Sequence, residues 1–503
     1  MAAILSEIAQ RLNNNLLIQI QSEGTSVNLM SLPLELLLEI LKLLVWKDIL
    51  RVRRICKYLA EVTRTRDIWL NLVHEHVLAN ELPPRLERPI EMHSSPELEH
   101  LLLLWKSADC RLESNLHPAR ERIIAAAVKV GDFKRTNLVH LIKGGRWLLV
   151  TEQTAAVTYY DLDAPTTSGV QLIADQMALN SLSEVLMDID YDMHSPFLAF
   201  TIAFSLRAGH RDTPQYRQTV EIWRVGVVLD ATQHVVGLAA ACIASFPHHL
   251  EIEWPKALSL LGSNIAFHAA YTHSRTYSHT DPERYIFVVD WTQANENPLQ
   301  YPWRVVHEEP GGPKIYLLPG GNLFVASNTW YSLIDCSSVP ETSCFQDPSQ
   351  YSFPVIWNIH GPPTMGTTRF FLTETRASFI VYCIAWVYNL TFDCRSVGDA
   401  PHLRCGHPLF SVGHVEDTPF IGYKHIILID RLGEASVFGY PGPFATCEEP
   451  TIAYRKFPLS RQLGAHAPLM DEESGRFVYC INQTIQERAA GTKLGVVDFA
   501  IDL

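Results

Sequence analysis

The sequence predicts an α+β, multidomain protein in which a helical N-terminal region precedes an all-β propeller of about seven blades. Three observations carry that expectation. Up to about residue 130 the apolar residues recur at helical spacing, whereas after Gly131 they fall in short runs divided by Gly, Pro, Asn, Asp and Ser. A glycine-centred pattern recurs far apart along the β-rich part. The chain has 503 residues, 47% hydrophobic and 19% charged, which suits several folded domains with a large core and excludes disorder as the main state.

The helical elements come first. From Leu34 to Trp46, ten of thirteen residues are apolar, interrupted only by Glu35, Glu39 and Lys42, so this segment reads as one helix that is apolar nearly all round. Asp48 reads as the N-cap of a second helix, on which Val52, Ile55, Cys56 and Leu59 form a stripe and Arg51, Arg53, Arg54 and Lys57 a solvated face or a targeting signal. A short helix includes Ile68, Trp69, Leu72 and Val73. Pro83, Pro84 and Pro89 mark a linker, so a chain starting near Met92 is expected to fold alone. Two further helices are expected over Pro96–Cys110 and Pro118–Val130, the second opening on proline.

The strands follow. The plainest are Trp147–Val150, Val157–Leu162, Phe197–Phe204, Val220–Val228, Asn264–Ala269 and Tyr285–Trp291. Later ones are Leu323–Ala326, Phe379–Val387, His425–Asp430, Ala435–Tyr440, Phe477–Ile481 and Leu494–Phe499. Tight turns are expected at Asp430–Glu434 and Glu473–Gly475. The segments LIKGGRWLLV (141–150) and LLPGGNLFVAS (317–327) match, and Gly144 and Gly320 lie 176 residues apart, or three units of about 59. Four-stranded units of that order are propeller blades, and centring one on the best strand of each gives blades near 147, 198, 265, 323, 381, 427 and 478. The WD signature is absent, with Asp290-Trp291 and Glu221-Ile222-Trp223 as eroded relatives. Ring closure is expected to bring Thr136–Ile142 and Lys493–Leu503 into one blade.

Charge and cysteine usage bound the setting. With 41 Lys plus Arg against 54 Asp plus Glu, the net charge of −13 argues against nucleic acid or an anionic membrane as a partner. No run of 18 apolar residues suggests a membrane span, and the first residues lack the basic start of a signal peptide. Ten scattered cysteines without a CxxC suit reduced thiols in the cytoplasm or nucleus, which makes the sequons at Asn389 and Asn482 chance matches.

The run Ser31-Leu32-Pro33-Leu34-Glu35-Leu36-Leu37-Leu38-Glu39-Ile40-Leu41 resembles the opening of an F-box, and the resemblance continues through Leu44, Asp48, Leu50 to Arg53, Ile55 to Lys57, and Trp69. It divides the chain into an extension (1–29), the F-box of three helices (30–76), a helical linker (77–130) and the propeller (131–503). The whole is similar to fungal-type F-box proteins carrying a divergent propeller. That resemblance implies a non-catalytic substrate receptor, binding a Skp-type adaptor and through it a cullin, with an unknown protein target on the propeller. It also implies the adaptor contacts: Leu32 and Pro33 insert, Leu36, Leu37, Ile40, Leu41 and Leu44 form the stripe, and Leu50, Val52, Cys56 and Trp69 are shared between contact and core.

Other chemistry is weaker. No phosphate loop, nucleophile elbow, zinc-protease helix or dinucleotide fingerprint occurs, so no catalytic residue and no cofactor are assigned. Cys394, His402, Cys405 and His407 have zinc-suited types at irregular spacing and read as loop residues, so no metal site is assigned. His248-His249 reads as a polar loop, and Asp188, Asp190 and Asp192 as a solvated strand end rather than a calcium loop. An interaction scaffold outside ubiquitin transfer and a propeller enzyme remain as alternatives.

Overall fold

The structure is a computed structural model, and it describes residues 32–500 apart from 81, 83, 115–117, 127–138, 153, 176–183, 209–216, 249–254, 271–283, 299, 309–313, 328–329, 344–353, 361–363, 374–375, 384–385, 394–401, 412–419, 430–433, 441, 445–452, 459–468 and 482–491. The chain divides into two compact units, Met1–His74 and Glu75–Leu503. Four helices begin the described part: α1 (Leu34–Lys42), α2 (Trp46–Arg53), α3 (Lys57–Val62) and α4 (Arg66–Ala79). In the second unit α5 (Ser95–Glu113) precedes seven four-stranded antiparallel sheets. At the start of α5, Ser94 and Glu97 form a capping box.

The seven sheets are the blades of an all-β propeller. Their spans are 139–173, 184–247, 257–308, 314–360, 364–411, 420–458 and 469–498, and the last is completed by Arg120–Ala126. We letter the strands of each blade A to D in sheet order. The A strands form the inner ring, because polar groups on one A strand reach the backbone of the next. Asp188 accepts from Leu260 N at 2.7 Å and Asp190 from Gly262 N at 2.8 Å, while Ser259 Oγ accepts from Leu317 N at 3.0 Å. Apolar clusters fill the seams in turn. Phe246 packs with Phe267 and Phe287, Phe324 with Phe379 and Phe392, and Ile427 with Phe477 and Phe499. Ile124, Trp147, Val478 and Val496 share a cluster across the last and first blades, so the ring is closed.

Every strand used to centre a blade from sequence is the B strand of that blade, which is buried along nearly all of its described length and so continuously apolar. The Gly-Gly pattern is the A–B turn of blades 1 and 4. Gly144, Gly145, Gly320 and Gly321 all have φ between +75° and +95°, a region that favours glycine. At Gly145 space also forbids a side chain, because a Cβ would sit 1.9 Å from Ser474 Oγ of blade 7.

A second repeat emerges only with the strands placed. In six blades strand C ends on, or is followed at once by, an aspartate after an apolar residue: Asp161, Asp230, Asp290, Asp335, Asp393 and Asp498. The side chains of Asp230, Asp290 and Asp335 accept the backbone N–H groups two residues on, at 2.8–3.0 Å, which starts the C–D turn. The eroded Asp290-Trp291 is therefore one member of a regular series.

Several expectations are corrected. The apolar segment 34–46 is two helices separated by a turn, and its all-round apolarity comes from merging them. Helix α2 starts at Trp46, so Asp48 lies inside its first turn and pairs with Arg51 at 2.7 Å. The stripe from Val52 to Leu59 crosses the break between α2 and α3. Phe379–Val387 spans two strands, Arg376–Cys383 and Trp386–Asp393. The segment expected as a helix from Pro118 to Val130 is not one over its described residues, 118–126: Arg120–Ala126 is a strand paired with Thr492–Asp498, Ile124 opposite Leu494. The paired β partner overrides the local helical propensity of its Arg, Glu and Ala residues. Closure thus uses an earlier strand than expected, and Val139–Leu141 belongs to blade 1.

Residues of the linker before Met92 also hold the propeller. Arg85 donates to the carbonyls of Asp192, Ser195 and Phe197 at 2.5–3.3 Å, and Glu87 takes Arg146 at 2.9 Å and Trp147 Nε1 at 2.5 Å. Burial pushes the Glu87 carboxyl up, and Arg146 opposes that shift. A chain cut at Met92 would leave these propeller groups without their partners.

Asp188 and Asp190 are inter-blade acceptors rather than solvated ends, and burial pushes Asp188 up to about 7. His248 is buried rather than in a polar loop. Asn389 is buried and donates to Pro443 O at 2.6 Å, which removes it as a glycosylation acceptor. Cys394 lies outside the described residues, as do Asn482, His249 and the turn 430–433. No group of metal-suited side chains occurs among the described residues, and no described helix is long and apolar enough to cross a membrane.

Two predictions follow from these seams. Ile124 is buried on the closing strand and its neighbour Ile123 is exposed. Ile124→Asp should lower stability by roughly 3 kcal/mol or more and Ile123→Asp by under about 0.5, as read by thermal melting. Equal effects would contradict the closure.

The second concerns His248, whose Nε2 lies 2.8 Å from Ser205 Oγ and whose imidazole burial pushes down to about 3. An unfolded imidazole titrates near 6.5, so between pH 6.5 and 3 the unfolded state binds the extra proton. The contribution is complete above pH 6.5 and is lost as the pH falls. Melting temperatures across this range should decline less steeply for His248→Gln than for the parent chain.

Candidate functional site

Proline at 33 supplies the extended residue before α1, Glu35 stands in its first turn and Lys42 in its last, so the helix is favoured at both ends. Asn71 on α4 donates to Lys42 O at 3.2 Å and satisfies a carbonyl at its C-terminus. Two stripes at i, i+4 and i+7 then run side by side. Leu37, Leu41 and Leu44 are buried. Leu36 and Leu43 are 53% and 61% exposed, with Ile40 half-buried between them. Adjacent residues lie about 100° apart on a helix, which sends Leu36 out and Leu37 in.

The other helices hold that surface in place. Ile49 and Val52 of α2, Leu59 and Val62 of α3, and Ile68, Trp69, Leu72 and Val73 of α4 are buried. Trp69 Nε1 donates to Thr63 O at 2.8 Å, and the Arg53 guanidinium lies 5.5 Å from the Trp69 ring centre. Arg53 also donates to Thr63 Oγ1 at 3.3 Å, so it is part of the packing rather than of a solvated face.

The expected contact residues are therefore of two kinds. Pro33 and Leu36 are exposed and Leu32, Ile40, Leu50 and Cys56 half-buried, so all six can meet a partner. Leu37, Leu41, Leu44, Val52 and Trp69 are buried and can only support those that do. The sequence reading missed Leu34, Val45, Ile55 and Tyr58, which are exposed, together with Leu43. The signal for Leu43 was the 36–40–43 spacing, parallel to 37–41–44. For Val45 and Ile55 it was the turns, which an unbroken helix concealed.

Exposed apolar surface is concentrated here. Thirteen large apolar side chains are exposed among the described residues, and six of them fall within 34–58. Single exposed apolar residues need no explanation, whereas this clustering marks an interaction surface.

Comparison with known proteins agrees with this division. The F-box-like family model matches residues 29–75. No curated protein matches the chain. Among solved structures the chain is similar to the WD40 domain of SCAP from fission yeast (10% identity, TM-score 0.37, covering 76% of this chain and 96% of that one). It is also similar to a functionally unknown protein from Desulfotomaculum acetoxidans (8% identity, TM-score 0.37, covering 67% and 89%). At that level of likeness nothing about function transfers. The N-terminal helices thus match an F-box-like domain, and a seven-bladed, all-β propeller follows it.

Proposed function

We propose that this chain is a fungal-type F-box protein acting as the substrate receptor of a cullin–RING ubiquitin ligase, in the cytoplasm or nucleus. Its exposed apolar surface binds a Skp-type adaptor, and its propeller binds a target protein. The observation that carries the reading is the clustering of exposed Leu, Val, Ile and Tyr side chains on the residues that match the F-box-like model.

The work such a receptor does is positional. Holding target and ligase on one chain turns their encounter into an intramolecular event and raises the effective concentration of the target's lysines at the charged enzyme. Affinity for the adaptor comes from desolvating apolar surface, at roughly 1.5–3 kcal/mol for each fully buried Leu or Ile. Leu36, Leu43 and Ile40 supply the centre of that surface, Leu32 and Pro33 its leading edge, and Leu50 and Cys56 its far side.

The outward Leu36 and the inward Leu37 of α1 give the test. Leu36→Asp should weaken binding to a purified Skp-type adaptor by more than about tenfold, measured by titration calorimetry, while the melting curve stays unchanged. Leu37→Asp, one residue on, should unfold the helices, seen as lost helical circular dichroism. Undiminished adaptor binding by Leu36→Asp would overturn the proposal.

A further inference from the structure

In an antiparallel blade the A–B turns lie at one end of the ring, and at that end the last turn of α4 and the middle of α5 meet blades 6 and 7. Helix α5 is closely seated: a Cβ at Gly475 of blade 7 would lie 2.6 Å from Ala108, and Leu112 joins the apolar cluster of Ile427, Phe477 and Phe499. Between the two helices His76 is buried, stacked on the Trp105 ring with centroids 4.9 Å apart. Both its ring nitrogens are engaged. Lys106 Nζ of α5 lies 2.8 Å from Nδ1, and Glu473 Oε2, in the A–B turn of blade 7, lies 3.3 Å from Nε2.

These neighbours fix where the ring carries its hydrogen. An ammonium only donates, so Nδ1 is the bare nitrogen that accepts from Lys106, and Nε2 carries the hydrogen and donates to Glu473. The Asn80 amide, 3.3 Å from Nε2, has its acceptor in His76 O at 2.9 Å, and Asn80 Oδ1 accepts from Lys424 Nζ of blade 6 at 3.3 Å. Charged groups thus face the ring from each element packed on it: Lys106 and Asp109 of α5, Glu473 of blade 7 and, behind Asn80, Lys424 of blade 6. Burial pushes the Asp109 carboxyl up, with Lys424 opposing and Glu473 adding.

This arrangement holds the neutral ring only. Protonation puts a hydrogen on both nitrogens, so Lys106 loses its acceptor and an ammonium faces an imidazolium across 2.8 Å. The attraction gained from Glu473 acts across 3.3 Å. Coulomb energy falls with distance, so the nearer repulsion outweighs it, and the lost hydrogen bond adds to the cost. Asp109 and Lys424 contribute one charge of each sign. We infer that His76 is a proton-controlled latch: neutral, it ties α5 through Lys106 to the A–B turn of blade 7; protonated, it releases Lys106 and loosens α5 from that turn. The tie is complete at high pH and is lost as the pH falls. Imidazoles change charge between about pH 8 and 5, so physiological changes of pH can work the latch. It does not depend on the receptor reading.

Hydrogen exchange on the full chain and on His76→Gln tests the latch. Glutamine can accept from Lys106 and donate to Glu473, but it takes up no proton. At about pH 8 the two chains should exchange alike over residues 104–110 and 472–475. At about pH 5.5 the parent should exchange there at least about fivefold faster than His76→Gln at the same pH. Equal exchange at the lower pH would overturn the latch. Lys106→Met gives an independent check, because it keeps the imidazole and removes the ammonium, so that Glu473 then favours the charged ring. Protection of 472–475, corrected for intrinsic rate, should hold or rise in Lys106→Met between the two pH values, while in the parent it falls. A fall in Lys106→Met as large as the parent's would also overturn the latch.

Discussion

The whole ring depends on one pairing, that of Arg120–Ala126 with Thr492–Asp498. Seven blades closed by chain order alone would be joined at the last and first blades by side-chain packing only, with no segment from before blade 1 built into blade 7. Here blade 7 takes its outer strand from before blade 1, so separating the blades at that seam requires pulling a strand out of a sheet. Charge reinforces it. Arg476 donates to Asp498 at 2.6 Å, to Asp163 of blade 1 at 2.8 Å and to Gly145 O at 2.8 Å, and Arg122 of the closing strand faces Asp498 at 3.4 Å. Burial acts to lower Arg476, but Asp498 and Asp163 outweigh it and hold the guanidinium charged. Removing one partner of a buried guanidinium so paired destabilises the fold strongly, because it leaves an uncompensated charge in the seam.

The same logic organises the A–B end of the ring. Asp471, Glu472 and Glu473 are consecutive in one turn and serve three neighbours. Asp471 accepts from Gly144 N of blade 1 at 3.1 Å, Glu472 from Lys424 N and His425 N of blade 6 at 3.0 and 2.7 Å, and Glu473 meets His76. Three adjacent carboxylates would repel one another in water. Aimed in three directions at amide and imidazole groups, each is stabilised where it stands. The acidic balance of the chain is thus partly spent on holding blades and linker together, so not all of it is a surface field.

How much of this was legible depended on whether the signal was local. The B strands were readable because a strand buried on both faces is a continuous apolar run, and the Gly-Gly turns because their φ values admit little else. The F-box-like start was readable from Leu32-Pro33 and the spacing of the leucines. The closing strand was not, since Arg120–Ala126 has no strand periodicity of its own and is made a strand by a partner 370 residues away. The aspartates ending the C strands were hidden for another reason: loops of unequal length leave them without a fixed period. Leu36 and Leu37 are chemically identical, and only the placement of three other helices decides which faces water.

On the proposed reading the two tasks fall on separate units, an apolar helical surface for the adaptor and a ring for the target. That division is the central claim, and hydrogen exchange on the full chain with and without a purified Skp-type adaptor tests it most directly. Protection confined to Leu34–Tyr58, with the seven blades exchanging as before, is the predicted result. Protection confined to the blades, or none anywhere at saturating adaptor, would contradict it.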